Sequence, residues 1–293
     1  MSEYAIESGI SAERRGFRLR QRGRSSSLLL FVGLGVLVVV TGSSIVARIF
    51  GLLHTDAVNY GNTLSAPSLH HWFGTDALGR DVFQRTLAAT LLDLRVGVIT
   101  VVVPMVFGLL LGAFAGYAGG MIEGIVMRIM DVFLAIPFLV VVLAIVATVG
   151  PGLAGVYIGL IIALFPVFVR ITRGEMLALR EQQFLLAAQT LGYSRRRIVL
   201  RHALPHLLRP NIVFSLSAIV GNISALAALS YLGVGAQPPT AEWGAIIAGG
   251  QEYLLTAWWI ATLPGLFMVL VCVAIFMTGE ALAERLNVRT GVL

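Results

Sequence analysis

The 293-residue chain is 57% apolar and only 12% charged, with a mean hydropathy of +0.88, which excludes a water-soluble globule of this size and puts the chain in a bilayer. Its formal charge of +6 and pI near 10.1 would suggest nucleic acid for a soluble protein. Here the arginines border apolar runs, the pattern of membrane orientation, and nucleic acid is set aside as a partner. All 21 basic residues are arginine, so a phosphate-binding Gly-x-x-x-x-Gly-Lys-Ser/Thr loop is excluded, and any ATP used must be bound by another chain. The single cysteine, Cys272, excludes an intrachain disulfide and a cysteine metal cluster.

In chain order, residues 1–27 form a basic tail with Arg14, Arg15, Arg18, Arg20, Arg22 and Arg24. The following run, 28–53, exceeds the roughly 20 residues a spanning helix needs and has no clear small-residue cleavage site, so it reads as a retained first helix. Further apolar stretches near 94–118, 125–149, 153–176, 211–233 and 256–279 predict an all-α membrane protein of six transmembrane helices. With six spans, seventeen arginines fall on one side and four (Arg48, Arg80, Arg85 and Arg95) on the other. The cytoplasm therefore receives both termini and the loop between spans four and five. Residues 54–93 become an external loop, 94–280 a five-helix core, and 281–293 a cytoplasmic C-terminal tail.

Within the external loop, Asp76 and Asp81 are placed to cap short helices, and Asp76/Arg80 and Asp81/Arg85 are spaced as i,i+4 pairs. An interfacial helix leading into the second span is expected, as a solvated lid rather than a substrate contact. Gly108, Gly112, Gly116 and Gly120 make one flat stripe, for packing within the chain first and between subunits second. Pro104, Pro137, Pro166 and Pro264 each fall inside a predicted span, where bends are tolerated. Asp131 needs a partner near membrane depth, and Arg128, three residues earlier, is expected to form a structural ion pair with it. The fifth span is interrupted by Ser215, Ser217, Asn222, Ser224 and Ser230, which either bond neighbouring helices or line a wet cavity. Ser217, Asn222 and Ser224 are the candidates for the wall of a translocation path.

Residues 170–209 carry eight arginines between apolar stretches, far more polar sequence than a short inter-helix connection needs. Leu177, Phe184, Leu185, Ala188 and Leu191 recur at helical spacing, Arg180, Glu181, Gln182, Gln183 and Gln189 supply the polar face, and Gly192 is a natural stop. An amphipathic helix can lie on lipid headgroups. Two helices meeting at a glycine turn suit insertion into a protein groove better. His202 and His206 stand four apart, but Pro205 lies between them and no acid accompanies them at ligand spacing, so a metal pair is not expected. Hydrolase and zinc-protease motifs are absent from the sequence, and no catalytic residue is assigned.

Leu186-Ala187-Ala188, Gly192, Ile198 and Leu204-Pro205 resemble the cytoplasmic motif of the inner-membrane permeases of ATP-binding-cassette importers, Glu-Ala-Ala, then Gly, then Ile-x-Leu-Pro, with Leu186 at the Glu position. The resemblance narrows to the second ("C-type") permease of the dipeptide, oligopeptide and nickel branch. It is carried by His71-Trp72-Phe73-Gly74-Thr75-Asp76 with Leu78 to Phe83, by Asp131 to Pro137, by Leu229 to Gly233, and by Gln237-Pro238-Pro239-Thr240 with Trp243-Gly244. Many relatives have an acid where this chain has Leu226. The resemblance implies a type I importer permease fold in a bacterial inner membrane, with a second homologous permease, two cytoplasmic ATPase domains holding ATP and Mg, and an external solute-binding protein as partners. It implies a coupling loop at 177–205, contacting the ATPase through Gln183, Phe184, Leu186, Ala187, Ala188, Gly192, Tyr193, Leu204 and Pro205. Short peptides are the implied cargo, with nickel chelates, glutathione or other peptide-like solutes as alternatives. A secondary transporter, the rival from another class, would need intramembrane carboxylates, which are scarce apart from Asp131; a non-transporting anchor would leave the loop unexplained.

Overall fold

The computed structural model describes residues 27–286. In lipid every backbone polar group must be satisfied internally, and the long elements are all helices. In order they are α1 (Ser27–Ile49), α2 (Val82–Ala118), α3 (Gly120–Leu134), α4 (Phe138–Val149), α5 (Leu153–Arg180), α6 (Gln183–Thr190), α7 (Arg195–Arg197), α8 (Leu204–Tyr231), α9 (Trp243–Gly249) and α10 (Trp259–Arg285). A π-helical stretch, Ile198–Ala203, fuses α7 to α8, so Arg195–Tyr231 is one 37-residue rod. Among the described residues five helices are long and apolar enough to cross a membrane, and the α3–α4 pair, bent by 84°, makes a sixth crossing.

The bend explains why 125–149 is not one straight span. Pro137 has no N–H, and its ring disfavours helical backbone in the residue before it. The Ala135 N–H closes α3 on the Asp131 carbonyl, and the Val140 and Val141 N–H groups start α4 on the Pro137 carbonyl. A second difference lies at α2, which begins at Val82 rather than near 94. Asp81 caps it by accepting from the Gln84 N–H at 2.9 Å, so the expected interfacial helix is the first part of α2 itself. At the other end, α10 runs on to Arg285, through residues expected to belong to the C-terminal tail. The basic arginines of the N-terminal tail lie outside the described residues.

α2 and α5 lie side by side in the same direction, and glycine is what lets them. A Cβ at Gly108 would meet the Phe168 side chain, at Gly112 the Val169 carbonyl and Thr172, and at Gly116 Met176 and the Arg173 carbonyl. The stripe is thus spent inside the chain, and it has three members. Gly120 stands beyond a turn in which Gly119 and Gly120 have φ of +66° and +57°. α8 runs antiparallel to both and is bonded to each: Thr172 donates to the Asn211 side-chain oxygen at 3.1 Å, and the Asn222 amide donates to the Thr100 hydroxyl at 2.8 Å. α1 is outermost, with only 17% of its apolar window buried. Its Ser44 hydroxyl donates to the Leu87 carbonyl of α2 at 2.6 Å.

Candidate functional site

The loop between α5 and α8 forms an elbow. Gly192 ends it with φ +73°, a left-handed conformation that glycine adopts without the penalty of a Cβ. Its N–H returns to the Gln189 carbonyl and that of Tyr193 to the Ala188 carbonyl. Ser194 then caps α7 by accepting from the Arg197 N–H. The apolar spacing sorts the residues of α6 by face. Leu185 and Ala188 are buried in a cluster with Leu109 and Ala113 of α2, Met176 of α5, and Ile198, Val199, Ala203 and Leu207 of the long rod. Gln183, Phe184, Leu186 and Ala187 face outward, Leu186 being 45% exposed. Leu204 packs against the same cluster, whereas Pro205 is exposed. The two histidines serve as flat surfaces: His206 lies against Phe184 with ring centroids 5.1 Å apart, and His202 against Tyr193 at 5.5 Å. Arg197 covers Tyr193, its guanidinium 4.1 Å from the ring centroid.

In the membrane region, Phe138, Leu139, Leu164 and Phe214 help to frame a groove of about 510 Å³ whose wall on α8 includes Ser217, Gly221, Asn222 and Ser224. Ser217 and Ser224 are exposed there. Asn222 is 2% exposed and commits its amide to Thr100 across to α2, so it packs helices together at the edge of the groove. Ser215 and Ser230 are likewise buried and bonded, Ser215 to the Asn211 carbonyl and Ser230 to the Ala236 N–H.

The expected Arg128–Asp131 pair is not what forms. Asp131 binds Arg170 of α5 at 2.5 Å, and Glu123, one of the acids of α3, binds Arg173 of the same helix. Spacing along one helix found the acid but could not see a cation 39 residues away. Arg85 likewise pairs with Asp56 at 3.5 Å and donates to the Thr55 carbonyl at 2.7 Å, instead of meeting Asp81. Asp81 bonds His71 at 2.7 Å, while the Asp76–Arg80 pair forms, with an N···O distance of 2.7 Å. These bonds fold residues 51–81 into a compact lid, and Trp259 of α10 donates to its Thr75 carbonyl at 3.3 Å.

Sequence reasoning missed the deepest acids of the molecule. Asp93 of α2 and Glu242, which caps α9, are 1% and 0% exposed. The two carboxyls are close enough to interact with one another, and no cation among the described residues forms an ion pair with either. Burial pushes the Glu242 carboxyl up from its ordinary value, opposed by bonds from the Gly244 N–H, the Ser230 hydroxyl and the Ala245 N–H. Asp93 also accepts from the Trp243 N–H at 3.2 Å, and the Trp243 indole donates to the Thr86 carbonyl at 3.0 Å. The only hint in the sequence was an acid just before an apolar run.

Six crossings, a broken third span and an elbow rooted in three long helices define a multi-pass membrane transport subunit. Residues 108–288 match the binding-protein-dependent transport system inner membrane component, and the chain belongs to that family. It is 35% identical over 281 residues to the dipeptide transport system permease protein DppC of Alkalihalophilus pseudofirmus, covering 95% of this chain and 90% of that one. Identity is 37% over 236 residues to the probable D,D-dipeptide transport system permease protein DdpC of Escherichia coli K12, covering 80% and 79%. It is 37% over 273 residues to the glutathione transport system permease protein GsiD of Escherichia coli O6, covering 92% and 88%. The chain is a transport permease of an ATP-binding-cassette importer and not an enzyme.

Proposed function

We propose that this permease forms, with a second homologous permease, the path by which short peptides delivered by an external solute-binding protein enter the cytoplasm, driven by ATP and Mg on two partner ATPase domains. The peptide cargo rests on the dipeptide permeases to which the chain is similar. In this reading both termini and the α6 elbow are cytoplasmic, and Ser217 and Ser224 are path-lining residues. The groove wall carries only neutral side chains. It therefore offers hydroxyls to a passing peptide without a fixed charge to trap either terminus. A glutathione-like cargo is a second reading, favoured by the similarity to GsiD.

The observation that carries the coupling role is the anchoring of α6. Leu185 and Ala188 are rooted among residues of α2, α5 and α8, and α8 and α5 also border the groove. A partner that pulls on the exposed face of α6 therefore moves helices that wall the path. Transport requires the nucleotide-bound ATPase to favour one arrangement of those helices over the other.

Gly192→Pro tests this. Proline fixes φ near −65° where the chain needs +73°, and it removes the N–H that bonds Gln189. Uptake of a labelled dipeptide should fall to about a tenth or less at equal membrane abundance, because the turn that presents α6 is lost. Unchanged uptake would refute the coupling role. Competition of labelled dipeptide by glutathione separates the two cargo readings.

A further inference from the structure

α6 carries no charge at all along Gln183–Thr190, while the residues around it are strongly one-signed: between positions 180 and 209 there are six arginines and one acid, Glu181. Beside α6 lies a polar pocket of about 370 Å³, lined by Arg180, Arg195, Gln189, Tyr117, Tyr193 and Leu186 among others. Glu181, the acid at its rim, is already held by Arg180 at 3.2 Å. Arg180 also donates to the Gly116 carbonyl at 3.2 Å, closing the end of α2. Arg195 is exposed and forms no ion pair among the described residues. The pocket is left with a surplus cation, Arg195, among polar neighbours.

The pocket is also on the aqueous side of the bilayer. α5 has 28 residues, so it is about 42 Å long against a hydrocarbon core of about 30 Å. Its last turns carry Arg170, Arg173, Glu175 and Arg180, which belong outside the core. α6 does not present a one-sided apolar face to lipid either. Its Leu185 and Ala188 are consumed inside the protein, and its outward face mixes Phe184 and Leu186 with glutamines.

We propose that the partner seated on α6 is a protein surface with an apolar floor and an acidic rim, one of whose carboxylate side chains enters the pocket to meet Arg195. This rests on the coupling role assigned to α6, and adds the sign of the contact. Leu186, at the mouth of the pocket and 45% exposed, supplies the apolar floor contact and cannot supply an anion. The guanidinium of Arg195, in a pocket also lined by Gln189 and two tyrosines, suits a carboxylate better than an amine or a guanidinium, which would be repelled.

The absence of lysine from this chain makes a clean test possible. In membranes containing the whole importer, Arg195→Lys introduces the only side-chain amine of the permease, and a water-soluble carbodiimide then joins that amine to any carboxylate in contact with it. The expected product is an amide between the introduced amine and an aspartate or glutamate of the ATPase, found by peptide mapping and absent at that site in the unsubstituted chain. Arg195→Glu should lower the ATPase retained on the purified permease by roughly tenfold, and raised salt should weaken retention by the unsubstituted chain. A cross-link to this chain's own Glu181, or to a lipid phosphate, overturns the proposal. So does an ATPase that stays bound with no cross-link and no response to Arg195→Glu. In each of these cases the coupling role itself survives, whereas it fails if no ATPase remains with the unsubstituted permease in low salt.

Discussion

The two ends of the helix bundle are built on opposite plans. At the elbow end, α6 is attached by the side chains of Leu185 and Ala188 and by the tilted contact of Phe184 with His206, and the rest of its surface is offered outward. At the opposite end, α9 is attached by backbone as well as side chain. Glu242 caps it, its Trp243 N–H and indole are bonded to α2, and Gly244 sits directly on the backbone of Ala227 in α8. Apolar side-chain packing can slide or tilt at modest cost, while buried hydrogen bonds and backbone contacts have one good arrangement. The contrast fits a subunit that receives motion at one end and holds a fixed frame at the other.

The contrast breaks most sharply at Gly244. Any Cβ there overlaps the backbone of Ala227, which cannot rotate away as a side chain would. Gly244→Val should therefore cost roughly 3 kcal/mol or more, the upper range for forcing atoms into a packed site. The measurement is thermal unfolding of the detergent-purified protein, and a midpoint within a degree of the unsubstituted chain would show that α9 is not a fixed joint.

At the elbow the same logic separates neighbours in sequence. Leu185 is fully buried, and Leu185→Ala should destabilise by about 2–4 kcal/mol, the range for truncating a core leucine. Leu186→Ala removes an outward side chain and should change stability by less than about 0.5 kcal/mol, while lowering ATPase association. If both substitutions cost stability equally, α6 is a packed helix like the others and not a presented one.

The elbow was legible because its information is local. A glycine needed for φ +73° and apolar residues at helical spacing sit within a dozen residues, and the faces follow from the period. The glycine stripe was legible for the same reason, up to the point where Gly119 and Gly120 turn the chain. The six spans followed from length and hydropathy, but their ends did not. Asp93 was assigned to the external loop because apolar content rises only after it, yet helix α2 had already begun at the Asp81 cap. Partners for the polar groups of the bundle were the least legible. Asp131 finds Arg170, Asn222 finds Thr100 and Asp93 finds Glu242, and each choice is made by helix packing over separations of 39 to 149 residues. No periodicity in one segment encodes such a pairing.

That last pair gives a small expected effect and the most discriminating one. Burial raises the Glu242 carboxyl above its ordinary value, so the folded protein keeps a proton there that the unfolded chain has already released. The stabilisation this provides is complete below the ordinary glutamate value and is lost as pH rises through the raised one, because in that interval the folded state binds more protons. The α2–α9 joint should accordingly loosen on the alkaline side. Glu242→Gln keeps one acceptor for α9 but has nothing to titrate, so it should cost about 1 kcal/mol at low pH, where one N-cap bond is lost. At higher pH its deficit should shrink. Amide exchange at Trp243, Gly244 and Ala245, followed against pH in both proteins, measures the joint directly. Parallel profiles in the two proteins would mean that the proton resides elsewhere and that the joint is held by Trp243 and Gly244 alone.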